Sequence, residues 1–310
     1  MPVSGSGDRT EDVAVIRTTG LTKTYGRTCA LVGLDLEVHQ GEVFGYLGPN
    51  GSGKTTTIRL LLGLARPTSG RAEVLGGHPE RDAVAIHRRL AYVPGEAALW
   101  PGLTGDETLH LLGRMAGGVD RAYTAALVER FELDPGKRVR AYSKGNRQKL
   151  ALVAALMTRA ELLVLDEPTA GLDPLMEQVF RDCIREAQAR GQTVFLSSHV
   201  LAEVDALCGR VAILRAGRVV EVGSLDVMRL RASVNVEAAF DGGAVPDVTA
   251  VPGVADPVVD GKTLRCRVDG PVAPLLALLA AAGATRLISR EPTLEELFLE
   301  YYGDVTDGSP

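Results

Sequence analysis

The stretch Val43–Leu62 reads VFGYLGPNGSGKTTTIRLLL, and it decides the fold of the chain around it. Its first five residues form a short apolar run of the kind found in a buried strand, and its last residues continue as a helix without a breaker. Between them, residues 48–55 match the G-x-x-x-x-G-K-[ST] pattern of a P-loop. The alternative is an accidental glycine-rich turn, and the position between strand and helix disfavours it.

The P-loop residues predict a nucleotide-binding site. Glycines let successive N–H groups turn toward phosphate oxygens, and the helix N-terminus adds a partial positive charge. Lys54 is expected to reach the terminal phosphates, and the Thr55 hydroxyl is expected to ligate Mg²⁺. The expected nucleotide-binding residues of this loop are Gly48, Pro49, Asn50, Gly51, Ser52, Gly53, Lys54, Thr55 and Thr56.

The composition narrows the class of protein. The 310 residues are 45% hydrophobic and 24% charged, and the net charge of -5 argues against a nucleic-acid binder. The four cysteines are scattered, which favours reduced, mostly buried thiols over a disulfide framework or a zinc site. The longest apolar stretch, near Leu275–Ala282, is far shorter than the roughly 20 residues of a membrane span, so we expect none in this chain.

Strand and helix patterns alternate over residues 13–224, which predicts an α/β core with a wound, largely parallel sheet. Continuous apolar runs at Leu162–Leu165 and Thr193–Leu196 are typical of buried parallel strands. Apolar residues at helical spacing indicate a helical insertion at about 97–158. Further strands are expected at 13–17, 29–37, 72–75 and 90–93.

A smaller α+β domain is expected over residues 230–303, where short strands separated by Gly, Pro and Asp alternate with two helices. The sequence Thr293-Leu294-Glu295-Glu296 fits the capping box that begins the last helix. The polar tails, residues 1–12 and 304–310, are expected to be disordered.

Two carboxylates follow the buried strand at Leu165. In P-loop proteins an acid at this place holds Mg²⁺, which makes Asp166 the candidate metal ligand. Glu167, the next residue, is then placed to polarise a water for attack on the γ-phosphate. A simple Asp-Glu-Pro turn at the end of a strand is the structural alternative.

With these motifs in this order, residues 13–222 resemble the ATP-binding subunit of an ABC transporter. The resemblance implies ATP and Mg²⁺ as ligands of a P-loop NTPase core with a helical subdomain. It also implies that Tyr25 stacks on adenine and that His199 is the switch histidine near the γ-phosphate. The signature that gives the family its name corresponds to Ser143-Lys144-Gly145-Asn146, and Asp173 ends the loop that links paired sites.

The resemblance also implies partners. In this family Ser143 and Gly145 of one subunit contact the γ-phosphate of ATP held by another, so the chain is expected to act as a homodimer or as one of two paired ATPase subunits. Glu291–Phe298 and the variant signature resemble the daunorubicin-resistance-like branch of drug and antibiotic exporters. Those ATPases pair with a separate ABC-2 type permease at the cytoplasmic face of the membrane. The alternative role for the C-terminal domain is a lid that only stabilises the dimer.

Two departures from the family pattern bear on hydrolysis and coupling. Lys144 stands where the family has the first signature glycine. The glutamine expected after the Tyr92-Val93-Pro94 strand is absent, and Gly95-Glu96 follows instead. Either Glu96 replaces that glutamine, or water and neighbouring groups do.

Three functions compete on the sequence alone. The first is the ATPase that drives export of hydrophobic drugs or antibiotics. The second is the ATPase of a lipid, polysaccharide or sodium exporter, which the sequence of this subunit does not separate from the first. The third is a soluble ABC ATPase acting on ribosomes or DNA, which a single ATPase unit, the absence of sustained heptads and the negative charge disfavour.

Overall fold

Strands and helices alternate along the chain, in a computed structural model that describes residues 13–242 and 244–303. The strands are β1 (Ala14–Tyr25), β2 (Thr28–His39), β3 (Val43–Leu47), β4 (Ser69–Val74), β5 (Leu90–Val93), β6 (Leu162–Asp166), β7 (Thr193–Ser198), β8 (Arg210–Arg215), β9 (Arg218–Ser224), β10 (Val234–Ala239), β11 (Val254–Asp260), β12 (Thr263–Val268) and β13 (Arg286–Arg290). The helices are α1 (Lys54–Leu61), α2 (Ala83–His87), α3 (Gly105–Met115), α4 (Arg121–Arg130), α5 (Lys144–Leu156), α6 (Pro174–Ala189), α7 (Leu201–Leu207), α8 (Leu225–Arg231), α9 (Ala273–Ala281) and α10 (Leu294–Gly303). The tails expected to be disordered lie outside the described residues.

The central sheet has six strands in the order β5-β6-β7-β3-β8-β9. The four pairs from β5 to β8 are parallel, as the alternation of strands and helices predicts. Every residue of β3, β6 and β7 is buried, which explains the apolar runs within these strands. Because β6, β7 and β3 are neighbours, the loops at their carboxyl ends emerge side by side at one edge, where α/β proteins bind ligands.

A second, antiparallel sheet of β2, β1 and β4 covers part of the same core. Its residues Ile16 and Leu34 belong to one buried cluster with Phe44 and Phe195 of the central sheet and Ile58 of α1. The sequence predicts a strand that stops at 17, whereas β1 continues to Tyr25. The reason is a break of register near Gly20, which adopts φ of +57° and lets the strand bulge instead of ending.

The segment between β5 and β6 holds α3, α4 and α5, as the helical spacing predicts. Each of these helices begins at a side chain that caps it. Thr104 and Glu107 form a capping box at α3, Asp120 caps α4, and the Ser143 hydroxyl accepts from the Asn146 N–H at α5.

The internal contacts of the chain divide it into two compact units, one up to Val222 and one from Gly223 onward. The second unit has a four-stranded antiparallel sheet in the order β11-β12-β10-β13, with a core that includes Leu275 and Leu279 of α9. The predicted capping box is confirmed, because Thr293 and Glu296 exchange hydrogen bonds of 2.9 and 3.3 Å. Among the described residues, no helix has the length and apolar character of a membrane span.

Candidate functional site

The loop between β3 and α1 requires glycine at two positions. A Cβ at Gly48 would lie 2.5 Å from the carbonyl oxygen of Leu214, and one at Gly53 would lie 2.6 Å from that of Ala30. Gly53 also adopts φ of +113°, a conformation that other residues rarely adopt. The loop is therefore held tightly between β2 and β8, directly before the first turn of α1.

Lys54 is almost fully buried, with 6% of its surface exposed. Its ammonium donates to the carbonyl oxygens of Gly48 at 2.5 Å and Pro49 at 3.3 Å, and it lies 3.4 Å from Glu167 Oε1. The lysine therefore links the P-loop to the residue after β6. Ser52 Oγ is buried without a hydrogen-bond partner among the described residues, so the loop also holds a hydroxyl that is available to a ligand oxygen.

The remaining loop positions are more open. Pro49, Asn50 and Gly51 are exposed at the tip of the loop, and Gly51 adopts φ of +80°. Thr55 is exposed and Thr56 half-buried at the start of α1. The tip is thus accessible from solvent, while the lysine that follows it is buried.

Asp166 joins the P-loop helix to the adjacent strand. Its Oδ2 accepts from the Thr55 hydroxyl at 3.1 Å, and its Oδ1 accepts from the Ser197 hydroxyl at 3.0 Å. Burial raises the pKa of this carboxyl group, while the hydrogen bonds from Ser197 and Thr55 act in the opposite direction. A buried carboxylate beside a hydroxyl gains stability from a nearby cation, so this pair has the chemistry of a metal-ligand set.

Glu167 and His199 face each other across the sheet edge. His199 Nδ1 lies 2.5 Å from Glu167 Oε2, and the Glu167 N–H donates to the Ser197 carbonyl at 2.9 Å. Glu167 adopts φ of +50°, which is uncommon for a residue with a side chain and is found most often at functional sites. This backbone turns its carboxylate toward both Lys54 and His199. The structure therefore brings together five of the residues that the sequence predicts for the site: Lys54, Thr55, Asp166, Glu167 and His199.

Three predicted site residues outside the P-loop, Tyr25, Ser143 and Asp173, make other contacts. Tyr25 ends β1 with 45% of its surface exposed, and the Lys23 ammonium lies 4.7 Å from the centre of its ring. Ser143 caps α5, and Asp173 caps α6 by accepting from the Met176 N–H at 3.0 Å. No hydrogen bond or ion pair within the described parts of the chain joins Ser143 or Gly145 to the P-loop.

Gly95, after β5, lies beside the acidic pair. A Cβ on Gly95 would meet the Asp166 carbonyl oxygen at 3.4 Å and the Glu167 Cβ at 3.7 Å, which are ordinary contact distances. Glu96, the next residue, has an exposed side chain. The position nearest the site therefore carries no side chain, and the role of Glu96 in place of a glutamine stays a prediction.

The signature turn contacts the loop that follows Glu167. A Cβ on Gly145 would lie 2.5 Å from the Gly171 carbonyl oxygen, and this backbone atom has little freedom to move away. Gln148, one turn further along α5, donates to the Pro168 carbonyl at 3.1 Å. The helix that carries the signature is thus tied to the segment of chain that carries Glu167.

Gly145→Ala is expected to destabilise the first unit despite placing a better helix former in α5. Alanine gains about 0.5–1 kcal/mol over glycine within a helix. Overpacking against backbone costs about 1–3 kcal/mol, so the clash with Gly171 outweighs the gain. The melting temperature should fall, whereas Gly209→Ala, where a Cβ meets no atom within 4 Å, should leave it unchanged. An equal or higher melting temperature for Gly145→Ala would contradict this packing.

Sequence reasoning missed three residues that support the site. Ser197 holds Asp166, Gln148 holds the turn after Glu167, and Glu203 contacts Ser198 next to His199. Ser197 could have been found from the sequence, because the polar pair Ser197-Ser198 ends an otherwise apolar strand. The other two lie on helices where their polarity reads as an ordinary exposed face, and only the packing shows that they are buried.

Comparison with known proteins adds the following matches. A protein-family model described as ABC transporter matches residues 31–170. A daunorubicin resistance ATP-binding protein of Streptomyces coeruleorubidus is 40% identical, with 93% of this chain and 96% of the relative covered. A Nod factor export ATP-binding protein of Cupriavidus pinatubonensis is 34% identical, with 94% and 91% covered. Among solved structures, the ATP-binding subunit of an ABC transporter matches with a TM-score of 0.66 and 31% identity, covering 70% of this chain and 92% of its own.

Proposed function

This chain belongs to the ABC transporter family of ATP-binding proteins, and from that premise we propose that it drives the export of a hydrophobic drug or antibiotic through a separate ABC-2 type permease. The chain is an ATP-binding and ATP-hydrolysing subunit. The observation that carries the proposed cargo class is the 40% identity to a daunorubicin resistance protein over 93% of the chain, a span that includes residues of the second unit. Relatives that share only the ATPase core would not support a cargo class.

The roles that we propose for the site residues in ATP hydrolysis follow from the geometry of the site. Lys54, buried at the base of the P-loop, neutralises the terminal phosphates when ATP replaces its contacts with Gly48 and Pro49. Glu167 accepts a proton from the attacking water, and His199, 2.5 Å from its carboxylate, orients that carboxylate and contacts the γ-phosphate. Tyr25 stacks on adenine with its exposed ring.

Thr55 and Asp166 are the residues proposed to hold Mg²⁺. Their side chains are 3.1 Å apart, and the Asp166 carboxyl group is buried with its other oxygen held by Ser197. Mg²⁺ is usually held in proteins by one or two carboxylates together with substrate phosphates, and Asp166 supplies one such carboxylate. When bound, Mg²⁺ neutralises charge on the phosphate oxygens.

We further propose that two copies, or two paired ATPase subunits, close head to tail over ATP. Ser143 and Gly145 lie at the N-terminus of α5, and neither is hydrogen-bonded to its own P-loop among the described residues. In the closed pair they contact the γ-phosphate held by the other subunit, where the α5 N-terminus favours negative charge. Lys144, in place of a glycine, adds a cation at that contact and has an exposed side chain.

The proposed domain assignment gives the ATPase domain residues 13–224, with its helical subdomain at about 97–158, and the accessory domain residues 230–303. The division of internal contacts after Val222 supports it. We propose that the chain works at the cytoplasmic face of the membrane as a peripheral subunit.

A second candidate cargo, of the lipid or polysaccharide class, is favoured by the 34% identity to a Nod factor export protein.

A pull-down from solubilised membranes tests this function. Tagged Glu167→Gln protein serves as bait with and without ATP, and Lys54→Ala protein serves as the matched bait that does not close. We expect a polytopic membrane protein to co-purify with both, more strongly with ATP for Glu167→Gln only. Cells that carry the wild-type chain together with this membrane protein should then tolerate hydrophobic drugs. Cells that carry the Lys54→Ala variant instead should not. Recovery of ribosomes or soluble proteins instead would contradict a transporter subunit, and unchanged drug tolerance would favour the second cargo class.

A further inference from the structure

Glu203 is a buried acid that the proposed reaction does not use. It lies in the first turn of α7, four residues after His199, with 3% of its surface exposed. Glutamate is almost never fully buried in proteins unless it is paired. No cation contacts its carboxyl group among the ion pairs of the described residues, so the reason for its burial lies in its other neighbours.

The neighbours of Glu203 belong to the two segments that carry His199 and Glu167. Its Oε2 accepts from the Ser198 hydroxyl at 2.8 Å, and the same hydroxyl oxygen accepts from the Val200 N–H at 3.0 Å. These two bonds enclose His199 in a short turn. The Thr169 side chain, two residues after Glu167, lowers the pKa of the same carboxyl group.

The carboxyl group is incompletely satisfied and faces other acids. Its Oε1 has no hydrogen-bond partner in the described part of the chain. The pKa of Glu203 is raised to about 7: burial is the largest cause, the hydrogen bond from Ser198 acts in the opposite direction, and the charges of Glu167 and Glu177 contribute to the rise. The Cys208 thiol also faces Glu203, and its own pKa is raised by burial and by that charge. Glu203 therefore changes charge near neutral pH.

We propose that Glu203 is a positioning residue for ATP hydrolysis, and that its ionised carboxylate, through Ser198, holds the turn of His199 beside Glu167. The inference rests on the roles proposed above for Glu167 and His199. A hydrogen bond to a carboxylate is about twice as strong as one to a neutral acceptor. Protonation of Glu203 therefore loosens the Ser198 bond, and the His199 turn loses its fixed position when the pH falls.

The test measures the rate of ATP hydrolysis against pH for wild type and Glu203→Gln. Glutamine keeps the shape and an acceptor oxygen for Ser198 but has no charge. We expect the wild-type kcat to rise as the pH passes through about 7, and the glutamine variant to lack this rise. At pH 8 the kcat of Glu203→Gln should be about threefold to tenfold lower, with little change in KM for ATP.

Two further variants keep the inference falsifiable. Ser198→Ala removes the same hydrogen bond from the other side, and its kcat should fall similarly and lose the same rise with pH. Glu186→Gln, an exposed acid on α6, should keep the wild-type profile. A Glu203→Gln profile that superimposes on the wild-type profile would overturn the inference. If Glu167→Gln retains wild-type turnover, the proposed base is wrong instead, whatever Glu203 does.

Discussion

Glu167→Gln is expected to retain ATP binding while its turnover falls by about 10²–10⁴-fold, the usual contribution of a general base. Glutamine has the same shape as glutamate, so the contact with His199 and the positive φ at this position need not change. Glutamine lacks the negative charge and the basicity that let a carboxylate accept the proton of the attacking water. Closure over ATP then proceeds without the step that reopens the pair.

The trapped state gives this prediction a physical readout. With ATP, light scattering after size exclusion should report twice the mass of the 32.8-kDa chain for Glu167→Gln, and with ADP only the single chain. Glu161→Gln is the matched control: Glu161 lies directly before β6, and its exposed carboxylate pairs with Arg89. Turnover at the wild-type rate in Glu167→Gln would rule out Glu167 as the base.

The strands and helices next to the site could be predicted because their residue patterns are local and the motifs fix their place in the chain. The stretch around Lys54 predicts strand, loop and helix, and β3 and α1 confirm them. β5 has the predicted bounds of Leu90–Val93. The long β1 could not be predicted in one piece, because a glycine at position 20 reads as an end of strand and only the pairing with β2 and β4 carries the strand past it.

The sequence predicts a set of site residues, but it does not predict how they are arranged in space. Asp166, Glu167 and His199 stand at the ends of strands, and the sequence does not give the strand order that makes β6, β7 and β3 neighbours. Nor does it reveal which polar helix residues are buried. Glu203 and Gln148 stand on helices among exposed residues, and their contacts with the loops of the site depend on packing between elements distant in sequence.

The glycine at position 95 affects the proposed coupling of ATP hydrolysis to a membrane partner. A side chain at this position would lie against Asp166 and Glu167, so a glutamine there would connect the site directly to the segment that follows β5. Glycine removes that connection within the chain. Among the described residues, the site is linked to the helical segment from Pro168 to Gln148 and from Gly171 to Gly145. We therefore expect conformational signals from hydrolysis to reach the helices mainly through α5.

Lys54→Ala is expected to raise the Kd for ATP by about 10- to 100-fold, because one hydrogen bond to a charged group contributes about 1.5–3 kcal/mol. The Lys54 ammonium lies 3.4 Å from Glu167 Oε1, so its loss also leaves the Glu167 carboxylate to repel the phosphates. Lys54→Met, which keeps the volume of the side chain, should bind as weakly as Lys54→Ala and thereby separates the charge from packing.

Binding of a fluorescent ATP analogue and thermal stabilisation by ATP both measure this effect. Lys137→Ala is the matched control, because it removes the same charge from an exposed position in the helical segment and should leave both readouts unchanged. Wild-type affinity in Lys54→Ala would mean that the backbone of the loop alone binds the phosphates. Because Gly48 and Pro49 lose a donor in this variant, an unchanged melting temperature without ATP is needed before weak binding is assigned to the missing charge.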